Sequence, residues 1–207
     1  MSTPTETIIP EIDEIVNFFT PELVEQMDES IPKLLEHFQK VHLLDSTQVP
    51  LPDELSGILK GSGGDGSESG MKLQLMLDYK KGVYESIVIT DAISADQKYI
   101  DKAVELIGIK ELLIYDLGYF KQEAMMDMSE KGAYFLSRYS HRTGIYTKPE
   151  GKLVHFEIVE KLKKAVLNEI ALCEFEVWFS KDGRQLKVRL IAEKIPDEVV
   201  SEQSLFW

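Results

Sequence analysis

Only one cysteine, Cys173, occurs among 207 residues, so a disulfide scaffold and a cysteine-built zinc site are both excluded. No run approaches the roughly 18 uncharged apolar residues that a membrane-spanning helix needs. The opening stretch, MSTPTETIIPEIDE, lacks the basic and apolar regions of a secretory signal, and a cytoplasmic location is the expectation. Basic residues are scarce early: residues 1–70 hold 3 against 14 acidic ones, whereas residues 71–207 hold 20 against 22. With a net charge of -13, a basic footprint over the whole surface is absent, and any contact with DNA requires a local patch. No internal repeat is present. What remains is a chain of one-domain length with 43% apolar residues, enough for a substantial core.

Apolar spacing near 3.6 predicts helices over 11–19 and 20–39, with Thr20-Pro21 as a start signal and Pro32 as a kink. Residues 41–49 read as a strand. KGSGGDGSESG (60–70) reads as a loop; its formal G-x-G-x-x-G match runs into a strand rather than a helix, so it is no dinucleotide fingerprint. MKLQLMLDY (71–79), a Lys-Lys-Gly turn and YESIVITDA (84–92) form a hairpin signature. Helices are predicted over 96–107 and 121–131, each followed by glycine, with strands over 110–118 and 133–140. Residues 153–166 and 173–195 read as strands of an appended antiparallel subdomain, with a hairpin turn at Lys181-Asp182-Gly183.

Two aspartates stand out. Asp45 interrupts the apolar strand Leu43-Leu44-Asp45-Ser46-Thr47, and Asp116 ends the run Leu112-Leu113-Ile114-Tyr115. A buried ionised carboxylate is costly without a cation or donor. If the first three strands form an antiparallel meander and strand 110–118 returns through one helix, it lies parallel to the first strand. The sheet order is then 3-2-1-4-5, and Asp45 and Asp116 come side by side. Neighbouring carboxylates repel unless a divalent cation lies between them, which suits Mg²⁺. Asp116 before Leu-Gly equally suits a strand-end turn. Lys121, Arg138, Arg142 and Lys148 flank the second aspartate in sequence and could meet phosphates, or simply form a solvated edge. His37, His42, His141 and His155 show no metal-ligand spacing. Asp78 and Asp91 read as turn residues, Met125, Met126 and Met128 as helix packing, and Trp178 as core or interface.

VHLLDSTQVPLPDELSGILKGSGG, MKLQLMLDYKKG and IYDLGYFKQEAMMDMSEKGAYFLSR resemble the insertion-sequence transposases of the Asp-Asp-Glu class, above all the insertion-sequence-four family (Tyr-Arg-Glu-Lys group). The apolar-Asp-x-Thr strand matches at Asp45. The Asp-x-Gly-Tyr-Phe segment matches at Asp116, Gly118, Tyr119 and Phe120, and the following Gly-x-Tyr-Phe-x-x-Arg at Gly132, Tyr134, Phe135 and Arg138. The resemblance covers roughly residues 20–196. It implies a ribonuclease-H-like α/β fold with a mixed sheet, helices before it and an antiparallel β insertion after it. It also implies DNA transposition: an activated water cuts the phosphodiester at the element's end, and the freed 3′-OH attacks target DNA. Asp45 and Asp116 are then catalytic metal ligands for Mg²⁺ or Mn²⁺, and the partner is DNA at transposon ends.

The departures carry expectations of their own. The family's third acid, a Glu within Tyr-x-x-Arg-x-x-x-Glu-x-x-x-x-x-x-Lys, has no counterpart here; Glu198 and Glu202 lack Arg and Lys at the required spacing. The chain is acidic, and a DNA-binding N-terminal part is not recognised. It therefore resembles an incomplete core, inactive by itself. The expected organisation is a helical arm (1–40), the core (41–150), the β insertion (151–196) and a tail (197–207). Pairing with a second copy or an intact transposase, and a stand-alone metal nuclease of similar fold, are the alternatives.

Overall fold

The structure, a computed structural model, describes residues 33, 35–63, 67–168, 170 and 172–194. The helices expected over 11–19 and most of 20–39, with Thr20-Pro21 and Pro32, lie outside the described residues, as does the tail. The chain divides into two compact units, the first ending at Arg138 and the second beginning at Tyr139.

The first unit is a five-stranded mixed sheet: β1 (Val41–Leu51), β2 (Ser69–Asp78), β3 (Val83–Asp91), β4 (Leu112–Tyr115) and β5 (Tyr134–Ser137). Helix α1 (Gln97–Leu106) joins β3 to β4, and α2 (Gln122–Glu130) joins β4 to β5. The order is β3-β2-β1-β4-β5, the mixed sheet expected for the ribonuclease-H-like α/β fold. β1 pairs antiparallel with β2 and parallel with β4, and β4 pairs parallel with β5.

Both crossovers step the same way across the sheet. Right-handed connection therefore places α1 and α2 over one face. On that face lie Leu44, Met76, Leu113 and Tyr115, all buried, beneath Tyr99, Ile100, Ala103 and Val104 of α1 and Ala124, Met125 and Met128 of α2. The Ser86 hydroxyl on β3 and the Tyr99 hydroxyl on α1 lie 2.7 Å apart, tying helix to sheet.

The alternation in MKLQLML turns the lysine and glutamine, not the leucines, toward the helix layer. Lys72 and Gln74 lie with Met76 beneath the helix layer, at 6% and 1% exposure, while on the other face Leu73 is buried and Leu75 and Leu77 are half-buried. That other face is covered at one end by Leu35 and Phe38 against Val41, Leu112 and Ile114. Further out, Ile89, Tyr134 and Leu136 are exposed at 42%, 52% and 58%.

Near the start of β1, His42 is fully buried between two carboxylates. Its Nε2 lies 2.8 Å from Glu111 Oε2, and its Nδ1 lies 3.1 Å from Glu85 Oε2, out of line for a hydrogen bond. Glu85 also pairs with Lys40 at 2.5 Å. Asp78, opposite His42, is buried and accepts the Lys80 and Lys81 backbone N–H groups, so it is a turn residue as expected.

The second unit holds a four-stranded antiparallel sheet of order β7-β6-β8-β9: β6 (Tyr146–Thr147), β7 (Val154–His155), β8 (Leu172–Lys181) and β9 (Arg184–Glu193). The division precedes the boundary expected at 150 because Tyr146 pairs with both His155 and Trp178. The β8–β9 hairpin turns through Asp182 and Gly183, both at positive φ (50° and 80°), as a two-residue turn matched to strand twist requires. Residues 153–166, expected as strand, are mostly not: Ile158–Leu167 is a helix, α3. Ile158, Leu162 and Ala165 recur at spacings of four and three, a helical period that outweighs the short β-like start at Val154–His155.

Burial opposes ionisation of Glu111, but the Gly108 N–H and His42 more than offset it and hold the carboxyl below the usual glutamate range. Its stabilising contribution is full at neutral pH and is lost as pH falls below about 4.3 and through the folded-state value. Urea midpoints taken from pH 7 to pH 3 should therefore fall less steeply for Glu111→Gln than for the parent, from a lower starting stability. Equal slopes would count against this ionised, buried role.

Candidate metal-binding site at the strand ends

The last paired residues of the β1–β4 ladder are Leu44 and Tyr115. The next residue on each strand is an aspartate. Asp45 continues β1, and Asp116 keeps an extended backbone (φ -81°, ψ 170°), so alternation carries both side chains to the sheet face opposite the helices. Neighbouring Cα atoms of paired strands lie about 4.8 Å apart, which is the lateral scale of this pair. β5 extends the row: Tyr115 pairs with Ser137, and Arg138, the next residue, approaches Asp116 with its Nη1 3.4 Å from Oδ1.

Asp45 and Asp116 are both exposed, contrary to the buried setting that first singled them out. The reason is topological: both sit just past the ladder, on the face without α1 and α2. Asp45 Oδ1 accepts the Ser46 N–H at 2.8 Å. The two carboxylates thus retain oxygens that face outward, a donor set suited to a hard divalent cation. Among the described residues, no three His, Cys, Asp or Glu side chains converge in a metal-ligand group.

The four cations differ in their surroundings. Arg138 reaches Asp116. Lys121 is held by Asp101, at 2.8 and 2.6 Å from its two carboxylate oxygens. Arg142 and Lys148 belong to the second unit. There, Arg142 lines a recess with Tyr139, His141 and His155, while Lys148 sits 4.5 Å above the Trp178 ring and donates to Gln185 at 2.9 Å.

A polar network beneath the pair was not legible as a site. Asp96 Oδ1 accepts from the Ser46 hydroxyl at 3.2 Å, the Lys72 ammonium at 3.1 Å and the Gln74 amide at 3.0 Å. Gln74 in turn accepts from the Tyr119 hydroxyl. Burial opposes ionisation of Asp96, but the Gln74, Lys72 and Ser46 donors outweigh it and hold the carboxyl below the usual range. Burial, reinforced by the charges of Asp96 and Asp45, pushes the Tyr119 hydroxyl upward, so it stays a neutral donor. The available signal was the pair of polar residues, Lys72 and Gln74, on one face of an otherwise apolar strand.

Tyr119 and Gln74 are each 1% exposed, so removing the hydroxyl strands a buried amide oxygen. Tyr119→Phe should cost about 1–3 kcal/mol in urea unfolding. A loss below a few tenths would show that the contact contributes nothing.

Comparison with known proteins bears on what the site belongs to. The transposase for insertion sequence element IS231F of Bacillus thuringiensis subsp. israelensis is 26% identical over 176 residues, 79% of this chain and 36% of that protein. The transposase for IS1151 of Clostridium perfringens is 28% identical over 184 residues, covering 82% of this chain and 38% of that protein. That for IS231B of Bacillus thuringiensis subsp. berliner is 32% identical over 114 residues, or 55% and 24%. The chain therefore spans well under half the length of these relatives. A family model described as the transposase DDE domain matches residues 36–194, an interval that contains Asp45, Asp116 and the whole described sheet. On that match, the chain belongs to the DDE-domain transposases of insertion sequences.

Proposed function

We propose that Asp45 and Asp116 hold a divalent cation, Mg²⁺ or Mn²⁺, in a core that serves cleavage and joining of DNA strands at transposon ends. The observation that carries this reading is the β1–β4 register, which makes the two aspartates lateral neighbours just past Leu44 and Tyr115. The bound ion would act as a Lewis acid on phosphodiester oxygens. The chain's own part is positional. The neighbouring strands carry the carboxylates side by side, and their exposure lets a nucleic-acid backbone approach them. Arg138 neutralises Asp116 and offers a guanidinium to a phosphate oxygen beside it. Lys121, Arg142 and Lys148 are the other cations proposed to meet phosphates, Lys121 after release from Asp101. In organisation, 1–40 would be an arm and 197–207 a tail on this core and its β insertion.

Phosphoryl transfer depends on placement and charge stabilisation, and a misplacement of about 1 Å can cost on the order of 10²-fold. With two carboxylates and no third ligand among the described residues, the chain by itself is proposed to be inactive on DNA. The exposed Ile89, Tyr134 and Leu136 favour a second reading, in which this sheet face pairs with another copy or with an intact transposase.

Three measurements test these readings. Mn²⁺ should bind weakly, and the binding should be lost in Asp45→Ala and in Asp116→Ala. Plasmid DNA incubated with the chain and Mn²⁺ should remain un-nicked; nicking abolished by both substitutions would show that the pair works without a third acid. For the second reading, light scattering should show self-association that Leu136→Glu removes, and a monodisperse monomer would exclude pairing with itself.

A further inference from the structure

Asp96 opens α1, yet its side chain makes no capping bond to the helix. Instead its Oδ1 gathers three donors, from β1 (Ser46) and β2 (Lys72 and Gln74). Lys72 is further fixed by the Ser94 carbonyl at 2.7 Å. The other oxygen, Oδ2, lies against Gly118 in the turn after Asp116: a Cβ built there would come within 3.1 Å of it. The same turn is held twice more. The Tyr119 hydroxyl donates to Gln74, and the Gln97 amide donates to the Phe120 carbonyl at 3.0 Å. The start of α1 thus grips the residue after Asp45 and the residues just after Asp116. Neither contact faces solvent on the aspartates' side of the sheet, so the grip comes from behind.

We propose that Asp96 is a positioning residue that ties the part of β1 carrying Asp45 to the turn following Asp116, and so sets the lateral placement of the two carboxylates. The inference deepens the reading of Asp45 and Asp116 as the metal-holding pair and rests on it. The β1–β4 ladder is only four pairs long and stops one residue short of the aspartates. Past that point no backbone ladder fixes their spacing, and the Asp96 network supplies the missing constraint. A hydrogen-bonded charge in a partly buried network is suited to this, because its geometry is directional and its loss leaves Lys72 without a counter-charge. Gly118 has its own place in this scheme: any larger residue would push Asp96 away.

The test reads placement without metal. In the full chain with Cys173→Ser, Asp45→Cys and Asp116→Cys bring two thiols to neighbouring strand positions, whose lateral scale of about 4.8 Å matches the roughly 4.4–6.8 Å Cα separation that a disulfide spans. The rate of disulfide formation under a fixed oxidant reports their juxtaposition. Adding Asp96→Ala should slow it about 10-fold, as a loss of alignment would. Asp96→Asn keeps an acceptor oxygen but no charge, and should slow it at least about threefold; it carries the test if the alanine variant does not fold. His42→Ala, a buried polar site near the start of β1, serves as a control for lost stability and should leave the rate within about twofold. In parallel, Mn²⁺ affinity of the chain with its aspartates intact should fall with Asp96→Ala by a similar factor. Crosslinking unchanged in both Asp96 variants, or slowed equally by His42→Ala, overturns the proposal. Mn²⁺ binding that ignores Asp45→Ala and Asp116→Ala overturns the metal-site reading instead, and the crosslinking result then stands on its own.

Discussion

The parallel pairing of β1 with β4 is the constraint on which the rest of the structure hangs. Four residue pairs, from Val41–Leu112 to Leu44–Tyr115, bring together segments about seventy residues apart in sequence. Loop closure over that distance is costly, and it is repaid by the apolar layer that α1 and α2 bury against the sheet. Because both crossovers step the same way, both helices lie on one face. The opposite face is left to the two aspartates, to Leu35 and Phe38 at one end, and to exposed apolar side chains elsewhere. Fold and site are therefore one decision: the handedness that buries Ile100 and Met128 also turns Asp45 and Asp116 toward solvent.

Much of the fold could be read from the sequence because its punctuation is local. The Lys80-Lys81-Gly82 turn, Gly132 after α2 and the Asp182-Gly183 hairpin each mark a chain reversal at positive φ, and strand order follows from chain handedness; Gly108 after α1 does not, since that helix closes at Ile107 in extended backbone. What misled was period. In 153–166, Val154, Phe156 and Ile158 alternate as a strand would, while Ile158, Leu162 and Ala165 recur as a helix does. The second pattern is longer and wins beyond Glu157. Strand β2 was legible as a strand but not in its facing. Its leucines face away from the helix layer, Leu73 buried and Leu75 and Leu77 half-buried, while Lys72 and Gln74 lie beneath that layer, an arrangement that hydrophobicity alone could not reveal, since it depends on a counter-charge twenty-four residues away at Asp96.

Residues of the candidate site were legible to the extent that their chemistry conflicted with their surroundings. An acid inside Leu43-Leu44-Asp45 and another after Leu112-Leu113-Ile114-Tyr115 are conspicuous in one dimension. Asp96 is not: an aspartate at a helix start looks like an ordinary cap. Only the structure shows that its carboxylate turns away from the helix it opens and toward the strands. The four cations divide in the same fashion. Arg138 is placed by β5 next to Asp116, whereas Lys121 is already occupied by Asp101. Sequence proximity to a motif did not separate them; strand register did.

The unequal lengths of the ladders have a mechanical consequence. β1 and β2 are joined over ten residue pairs, while β4 is held on each side by only four. One aspartate therefore rides on a stiff beam and the other on a short leaf beside it. The hold on the leaf therefore comes less from backbone pairing than from its buried side chains, Leu112, Leu113 and Tyr115. Backbone pairing with β2 thus sets the position of Asp45, whereas that of Asp116 depends on the side-chain packing behind it.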